Sequence, residues 1–298
     1  MEWKNMDTPN LGLLVYKKLY TEEAIRSLIK YQPALPGEPG EKERIYIDIA
    51  KEAKTTPFDP FYQAVFDQEL KSSYQIINPA AIHHTLLKTT YPGLLIGSGY
   101  THDSNAKGDL KIGFYFDHTT GQPVIPGSSV KGVLKSVFEN EDYTTDEKSL
   151  RTIRFIIDEI INKEDSDTEL KKEWTNIKDS FSVEILKHLK DTVFGTQNDE
   201  GVDIFFDAVI DIVQTGEKKY IVSDFITPHE HPLKNPNPLM FLKVLSGVFF
   251  EFRFKLNDYS RGKFKLTANQ KLKLFRQILL TIGIGAKTNV GYGQFKEV

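Results

Sequence analysis

The chain has 298 residues with a formal net charge of −3 and a pI near 6.2, so it lacks the basic total that marks most free-standing nucleic-acid binders. It contains no cysteine, which excludes disulfides, thiolate metal sites and thiol nucleophiles. Hydrophobic residues at 40% and charged residues at 27% suffice for a packed core, and no apolar run of about 18 residues is available to span a membrane. The opening MEWKNMDTPN places no basic segment before an apolar one, so no secretory signal is expected and a cytoplasmic protein is the reading.

The first 82 residues read as a helical, loop-rich extension. Thr21-Glu22-Glu23 opens a short amphipathic helix with Ala24, Ile25, Leu28 and Ile29 on its apolar face. Gln32–Gly40, rich in proline and glycine, breaks it, and a second helical piece is predicted over Asp59–Leu70. From His83 the pattern turns to strands, and residues 83–298 are taken as one α+β domain. Leu110, Ile112, Phe114 and Phe116 alternate with Lys111, Gly113 and Tyr115, the period of a half-buried strand. A helix follows Pro126-Gly127-Ser128-Ser129, with Val130, Val133, Leu134 and Val137 on its buried stripe.

An acidic helical insertion is expected within about 140–192, over Thr145–Lys163 and Leu170–Lys190. Val202–Ile212 then alternates, with Ile204, Phe206, Ala208, Ile210 and Ile212 on one face. In Val248–Leu256 the residues Val248, Phe250, Phe252, Phe254 and Leu256 point one way, and Glu251, Arg253 and Lys255 the other. The last helix begins at Thr267, which forms a capping-box pattern with Gln270, and Leu272, Phe275, Leu279 and Ile282 recur along it. Strand–helix–strand–strand–helix–strand order with one solvated sheet face describes a ferredoxin-like, RRM-type fold with an antiparallel sheet.

Charge is segregated. Arg261, Lys263, Lys265, Lys271, Lys273 and Arg276 fall in a stretch without an acid, while Glu139–Glu173 is dense in acids. Such a chain can grip a phosphate backbone locally and meet basic partners elsewhere; the plainer alternative is solvated surface.

Two glycine-rich segments carry the strongest chemical signal. Pro123–Gly132, PVIPGSSVKG, joins a strand end to a helix start. Gly127 permits a tight turn, Ser128 and Ser129 can cap the helix or offer hydroxyls, and free N–H groups there attract an anion beside Lys131 and Lys135. The alternative is a plain turn with two exposed lysines. Gly283–Phe295, GIGAKTNVGYGQF, sets glycines at 283, 285, 291 and 293 around Lys287, Thr288, Asn289 and Tyr292. It is not a P-loop, because Ala286 separates Gly285 from Lys287 and no helix follows. A glycine-rich hairpin closing the sheet is the alternative.

Taken together and in this order, GLLIGSG at Gly93–Gly99, PVIPGSSVKG and the terminal GIGAKTNVGYG resemble the RAMP superfamily of CRISPR proteins. VFGTQNDEG at Val193–Gly201 and SDFITPHEHP at Ser223–Pro232 narrow the resemblance to the sixth Cmr-type subunit family of type III-B effector complexes. It covers about His83–Phe295. The resemblance implies an RRM-like fold that holds guide RNA (crRNA) by its backbone, with Ser98, Gly127, Ser128, Ser129, Lys131, Lys135, Gly285, Lys287, Thr288, Asn289 and Tyr292 near that RNA. It implies a non-catalytic capping role towards the guide 3′ end in antiviral defence. The implied partners are the guide RNA and its target RNA duplex, the backbone RAMP subunit, the small subunit and the other 3′-end capping RAMP. No cofactor, metal or membrane is implied.

Catalytic readings rest on scattered groups. His229 and His231, with Asp224 nearby, offer two nitrogens and an acid to zinc, but spacing places no third ligand. Asp203, Asp207 and Asp211 share one face of a predicted strand, yet neighbours lie about 13 Å apart, too far for one ion, so a solvated or partner-facing acidic face is expected. The loop Tyr100–Asp109 carries His102, Asp103 and Asp109, an address where the backbone subunits of the resembled family hold a metal-dependent cleavage loop. It does not match that motif. A metal-dependent endoribonuclease using Asp103 or Asp109 with His102 is therefore the second reading, and an unrelated RRM-like protein the third.

Overall fold

The computed structural model describes residues 82–97, 110–112, 115–117, 122–139, 146–163, 168–215, 220–226 and 239–298. The helices predicted before residue 82, the loop Tyr100–Asp109, Ser98, His229 and His231 lie outside the described residues. In chain order the first elements are β1 (His83–Thr89), β2 (Leu110–Ile112), β3 (Val124–Ile125) and helix α1 (Gly127–Ser136). Three insertion helices follow: α2 (Asp146–Lys163), α3 (Thr168–Ser180) and α4 (Val183–Phe194). Then come β4 (Ile204–Phe205), β5 (Ala208–Ile210), the short α5 (Ile212–Thr215), β6 (Ile221–Ile226) and β7 (Leu239–Val244). The chain closes with β8 (Phe249–Lys255), the hairpin β9 (Tyr259–Arg261) and β10 (Phe264–Leu266), helix α6 (Ala268–Ile282) and β11 (Phe295–Lys296).

These elements fall into two compact units. The larger takes its described residues from Tyr74–Leu94, Ile125–Asp211 and Phe249–Val298. Its sheet runs β11-β1-β8-β5-β3, with β4 also paired to β8. β1 is antiparallel to β8 and to β11, and β5 is antiparallel to β8. Along the chain, β1, α1, β5, β8, α6 and β11 give the βαββαβ succession, and in space the fourth strand lies beside the first and the third beside the second. That is the ferredoxin-like arrangement, as the sequence pattern predicts.

The core follows from the strongest alternation. Val248, Phe250, Phe252, Phe254 and Leu256 are all buried, and Phe252 and Phe250 lie opposite Thr85 and Leu87 of β1. α6 lies against β1 and α1. Phe194, Phe205, Phe254 and Phe275 form a cluster of rings with centroids 5.3 to 6.0 Å apart. Thr267 and Gln270 complete the predicted capping box at the start of α6.

Two boundaries differ from the sequence reading. Leu170–Lys190 is not one helix: Phe181 is buried and Ser182 accepts from the Ile185 N–H at 3.2 Å, ending α3 and starting α4. Val202–Ile212 is not one strand either. Phe206 N–H still donates to Arg253 O at 3.1 Å, but Asp207 turns its carboxylate to α1, and Ile212 begins α5. Ile204 is consequently exposed rather than on the buried face.

The second unit takes its described residues from Leu95–Val124 and Ile212–Val248. Its sheet is β2-β7-β6, with β2 parallel and β6 antiparallel to β7. The strand predicted over Leu110–Phe116 is seen at Leu110–Ile112 and as a bridge from Phe116 to Pro123. Tyr220 is buried and donates its hydroxyl to Gln122 Oε1 at 2.5 Å. Burial pushes that phenol well above its ordinary value, and the hydrogen bond to Gln122 pulls it partly back.

Candidate nucleic-acid interface

The terminal glycine loop is a built structure. Helix α6 ends where Gly283 takes φ 76° and its N–H bonds Leu279 O at 3.0 Å. Lys287 is the one non-glycine residue with positive φ among the described residues, at φ 60° and ψ 35°. A left-handed lysine costs about 1 kcal/mol or more, so the surrounding contacts must hold it there. They do: its carbonyl accepts from the N–H of Val290 at 3.1 Å and of Tyr292 at 3.3 Å. Ile284 N–H donates to Gly293 O at 2.9 Å, and a Cβ on Gly293 would overlap the Ile284 carbonyl oxygen.

The loop is pinned to the turn after β1. Gly293 N–H donates to Gly93 O at 2.8 Å, while the Thr90 N–H and hydroxyl both donate to Gln294 O at 3.0 and 3.1 Å. Neither His83–Leu94 nor Gly283–Lys296 contains an acid, and between them they carry Lys88, Lys287 and Lys296. Lys88 lies over the Phe249 ring at 4.6 Å. Gly285, at φ 102°, and Asn289 are exposed, Thr288 is half-buried, and Lys287 makes no ion pair among the described residues. Tyr292 is buried, so its ring is largely withdrawn from solvent.

The start of α1 is corrected. Two of its first N–H groups are engaged within the protein: Gly127 N–H donates to Asp207 Oδ1 at 2.6 Å, and Ser129 N–H to Pro126 O at 2.8 Å. The protein's own carboxylate occupies the positive end of this helix. Gly127 is buried, and a Cβ there would overlap the Phe205 carbonyl oxygen, so close approach to the β4 end explains the glycine. Ser128 and Ser129 are exposed, and Pro126, not a serine, is the N-cap, with no side-chain cap bond. Lys135 pairs with Glu139 at 3.0 Å; Lys131 is half-buried and makes no ion pair among the described residues.

The acidic and basic runs are partly engaged in ion pairs, one of them buried. Asp203 is 0% exposed at its side chain and pairs with Lys271, itself 1% exposed, while also accepting from Asn257 N–H at 2.9 Å. Burial lowers the Lys271 ammonium pKa, and the Asp203 hydrogen bond and charge raise it back in part. Arg261 pairs with Glu184 at 2.8 Å and Arg276 lies 3.6 Å from Glu297. Of the stretch Arg261–Arg276, Lys271 is buried and Arg261 and Arg276 meet acids, while Lys263, Lys265 and Lys273 are exposed. Of the acids, Asp203 is buried and Asp207 is exposed with one oxygen on Gly127 N–H. In the second unit Asp224 pairs with Lys243 at 2.6 Å. Sequence reasoning missed Tyr91, which is 86% exposed in the turn that pins the loop. Its only sequence signal was an aromatic before Pro92-Gly93, at the end of a strand.

Comparison with known proteins adds four observations. The sequence model of the RAMP superfamily matches residues 86–296. The curated Cmr6 subunit of the CRISPR Cmr system of Pyrococcus furiosus is 29% identical over 206 residues, which cover 59% of this chain; the match spans 58% of that relative's length. Among solved structures, the crystal structure of Cmr6 from Pyrococcus furiosus matches with 24% identity and TM-score 0.43, covering 74% of this chain and 100% of that one. A type III-B Cmr-beta complex bound to cognate target RNA matches with 18% identity and TM-score 0.45, covering 95% of this chain and 84% of the matched one.

Proposed function

This chain belongs to the RAMP superfamily, and we propose that it is a non-catalytic subunit of a type III-B CRISPR Cmr effector complex that holds guide RNA and caps the assembly towards the guide 3′ end. The single observation that carries the reading is the terminal loop: a lysine with no ion pair among the described residues, held in a left-handed conformation on glycines fixed to an acid-free turn. Backbone amides and one ammonium suit phosphates and sugars, and a subunit of this kind leaves sequence reading to guide–target pairing. The relative's name as a Cmr subunit supports the same assignment. Its partners are then the guide RNA with its target duplex, the backbone RAMP subunit, the small subunit and the other capping RAMP, all in the cytoplasm.

Lys287→Glu tests it. The lysine is half-buried at the loop surface and pairs with no acid among the described residues, so the variant folds normally. Guide RNA binding by the assembled complex weakens, and its salt dependence falls by about one ion. A folded variant with unchanged affinity and unchanged salt slope refutes the assignment.

A further inference from the structure

We propose that Tyr91 is a stacking platform for an unpaired nucleobase, set beside the phosphate-directed Lys287; the inference rests on the RNA-holding role above. At 86% exposure Tyr91 presents the most exposed large hydrophobic side chain among the described residues. A ring so open contributes little to the core, and it stands in the one turn that the glycine loop is pinned to. The backbone on both sides is fixed: Thr89 pairs with Phe295, Thr90 donates twice to Gln294 O, and Gly93 O accepts from Gly293 N–H. An aromatic on a held backbone loses little freedom when something stacks on it.

The turn and the loop meet closely. A Cβ on Gly291 would lie 3.5 Å from Pro92 Cδ, so Tyr91 and Val290, each one residue from that contact, flank a common seam. Val290 is 63% exposed and Asn289 beside it is exposed too. Lys287 joins the same seam, because its carbonyl accepts from Tyr292 N–H at 3.3 Å, next to Gly293. An open ring, an aliphatic side chain, an amide and a cation thus belong to two adjoining segments without an acid. Single-stranded nucleic acid is recognised by this combination of positive charge along the backbone and aromatic faces under the bases. A protein partner would use the ring and Val290 but has no use for an acid-free lysine loop unless it is itself acidic, so RNA is the occupant that the charges favour.

The test is fluorescence anisotropy of labelled single-stranded oligoadenylate with the full chain at about 0.05 M salt, where a few phosphate contacts still bind. Tyr91→Ala lowers affinity roughly 5- to 100-fold, the range of one base–aromatic stack, with the salt slope unchanged. Tyr91→Phe and Tyr91→Trp retain binding, and the Tyr91→Ala loss disappears when the RNA is replaced by an abasic ribose-phosphate strand. If Tyr91→Phe loses as much as Tyr91→Ala, the hydroxyl and not the ring is at work and the stack is overturned. If Tyr91→Ala binds normally while Lys287→Glu does not, the stack fails and RNA holding stands. Should Tyr91→Ala spare RNA affinity but weaken co-assembly with Cmr-type subunits, the surface is a protein contact and the proposal is wrong. No binding by the wild-type chain, even at the high micromolar concentrations expected of a lone subunit, overturns the stack, while the RNA-holding role is read separately from Lys287→Glu in the assembled complex.

Discussion

Lys271 is the residue for which sequence and structure make opposite predictions. As part of a basic run it should touch phosphate, and Lys271→Met should weaken RNA binding while leaving the fold alone. In the structure its ammonium is buried against Asp203, so the same substitution leaves a carboxylate sealed from water with only Asn257 to hydrogen-bond it. Removing one partner of a buried pair costs about 3–5 kcal/mol. For a chain of this length that is a fall in Tm of roughly 6–20 °C. Urea titrations followed by circular dichroism measure it, with Lys263→Met as an exposed control expected to stay within about 0.5 kcal/mol of wild type. Pairing Lys271→Met with Asp203→Leu removes both charges, and most of the stability returns, less about 1 kcal/mol for the acceptor lost to Asn257. A single-variant loss below about 1 kcal/mol, with no coupling to Asp203, refutes the argument, because it means water already solvates the pair.

Three further outcomes are expected. Gly293→Ala, at φ 70° with its Cβ driven into a backbone carbonyl, destabilises by more than about 3 kcal/mol, whereas Gly262→Ala, at φ 60° in open space, costs about 1 kcal/mol; thermal unfolding separates them. Tyr220 has a raised folded pKa, so the unfolded chain ionises first: its contribution is intact below about pH 10 and falls above it by up to about 1.4 kcal/mol per pH unit. Tyr220→Phe flattens that alkaline fall while costing about 1 kcal/mol at neutral pH through the lost Gln122 bond, as urea titrations from neutral to strongly alkaline pH would show. The lone chain, with net charge −3, binds single-stranded RNA only at micromolar or higher concentration in about 0.15 M salt, and nanomolar binding without partners contradicts the need for assembly.

Sequence periodicity located the elements whose burial is one-sided and missed those shaped by a single long-range contact. Val248–Leu256 could be read because five alternate apolar residues admit only one sheet face, and α6 because its cap is local in sequence. The break at Asp207 could not be read, since its cause is Gly127, 80 residues away. Nor could the fate of Lys271: a lysine on a helix reads as solvated until Asp203, 68 residues earlier, is seen to meet it. Of the candidate site, the loop Gly283–Phe295 was legible through its glycines, but its anchor at Thr90 and Gly93, and hence the place of Tyr91, needed the fold.

The way charge is used in this domain bears on how it can hold a polyanion at all. Several cations that a sequence scan would assign to RNA are drawn inward or paired: Lys271 to Asp203, Arg261 to Glu184, Lys135 to Glu139 and Lys163 to Glu297. The helix start that would serve as an anion site is filled by Asp207. What remains for phosphate is scattered cations, Lys131, Lys263 and Lys287 among them, and the shape of a loop that glycines allow to come close. Such a site gives little long-range attraction, so it draws no RNA by charge alone and discriminates by fit once the strand is delivered. Delivery then falls to neighbouring subunits that share the same guide, because linking sites along one strand raises the effective concentration at the next without any new contact. A weakly charged, rigid loop is thus the expected endpoint of a protein that acts only in an assembly, and a broad basic face would have been the mark of one that acts alone.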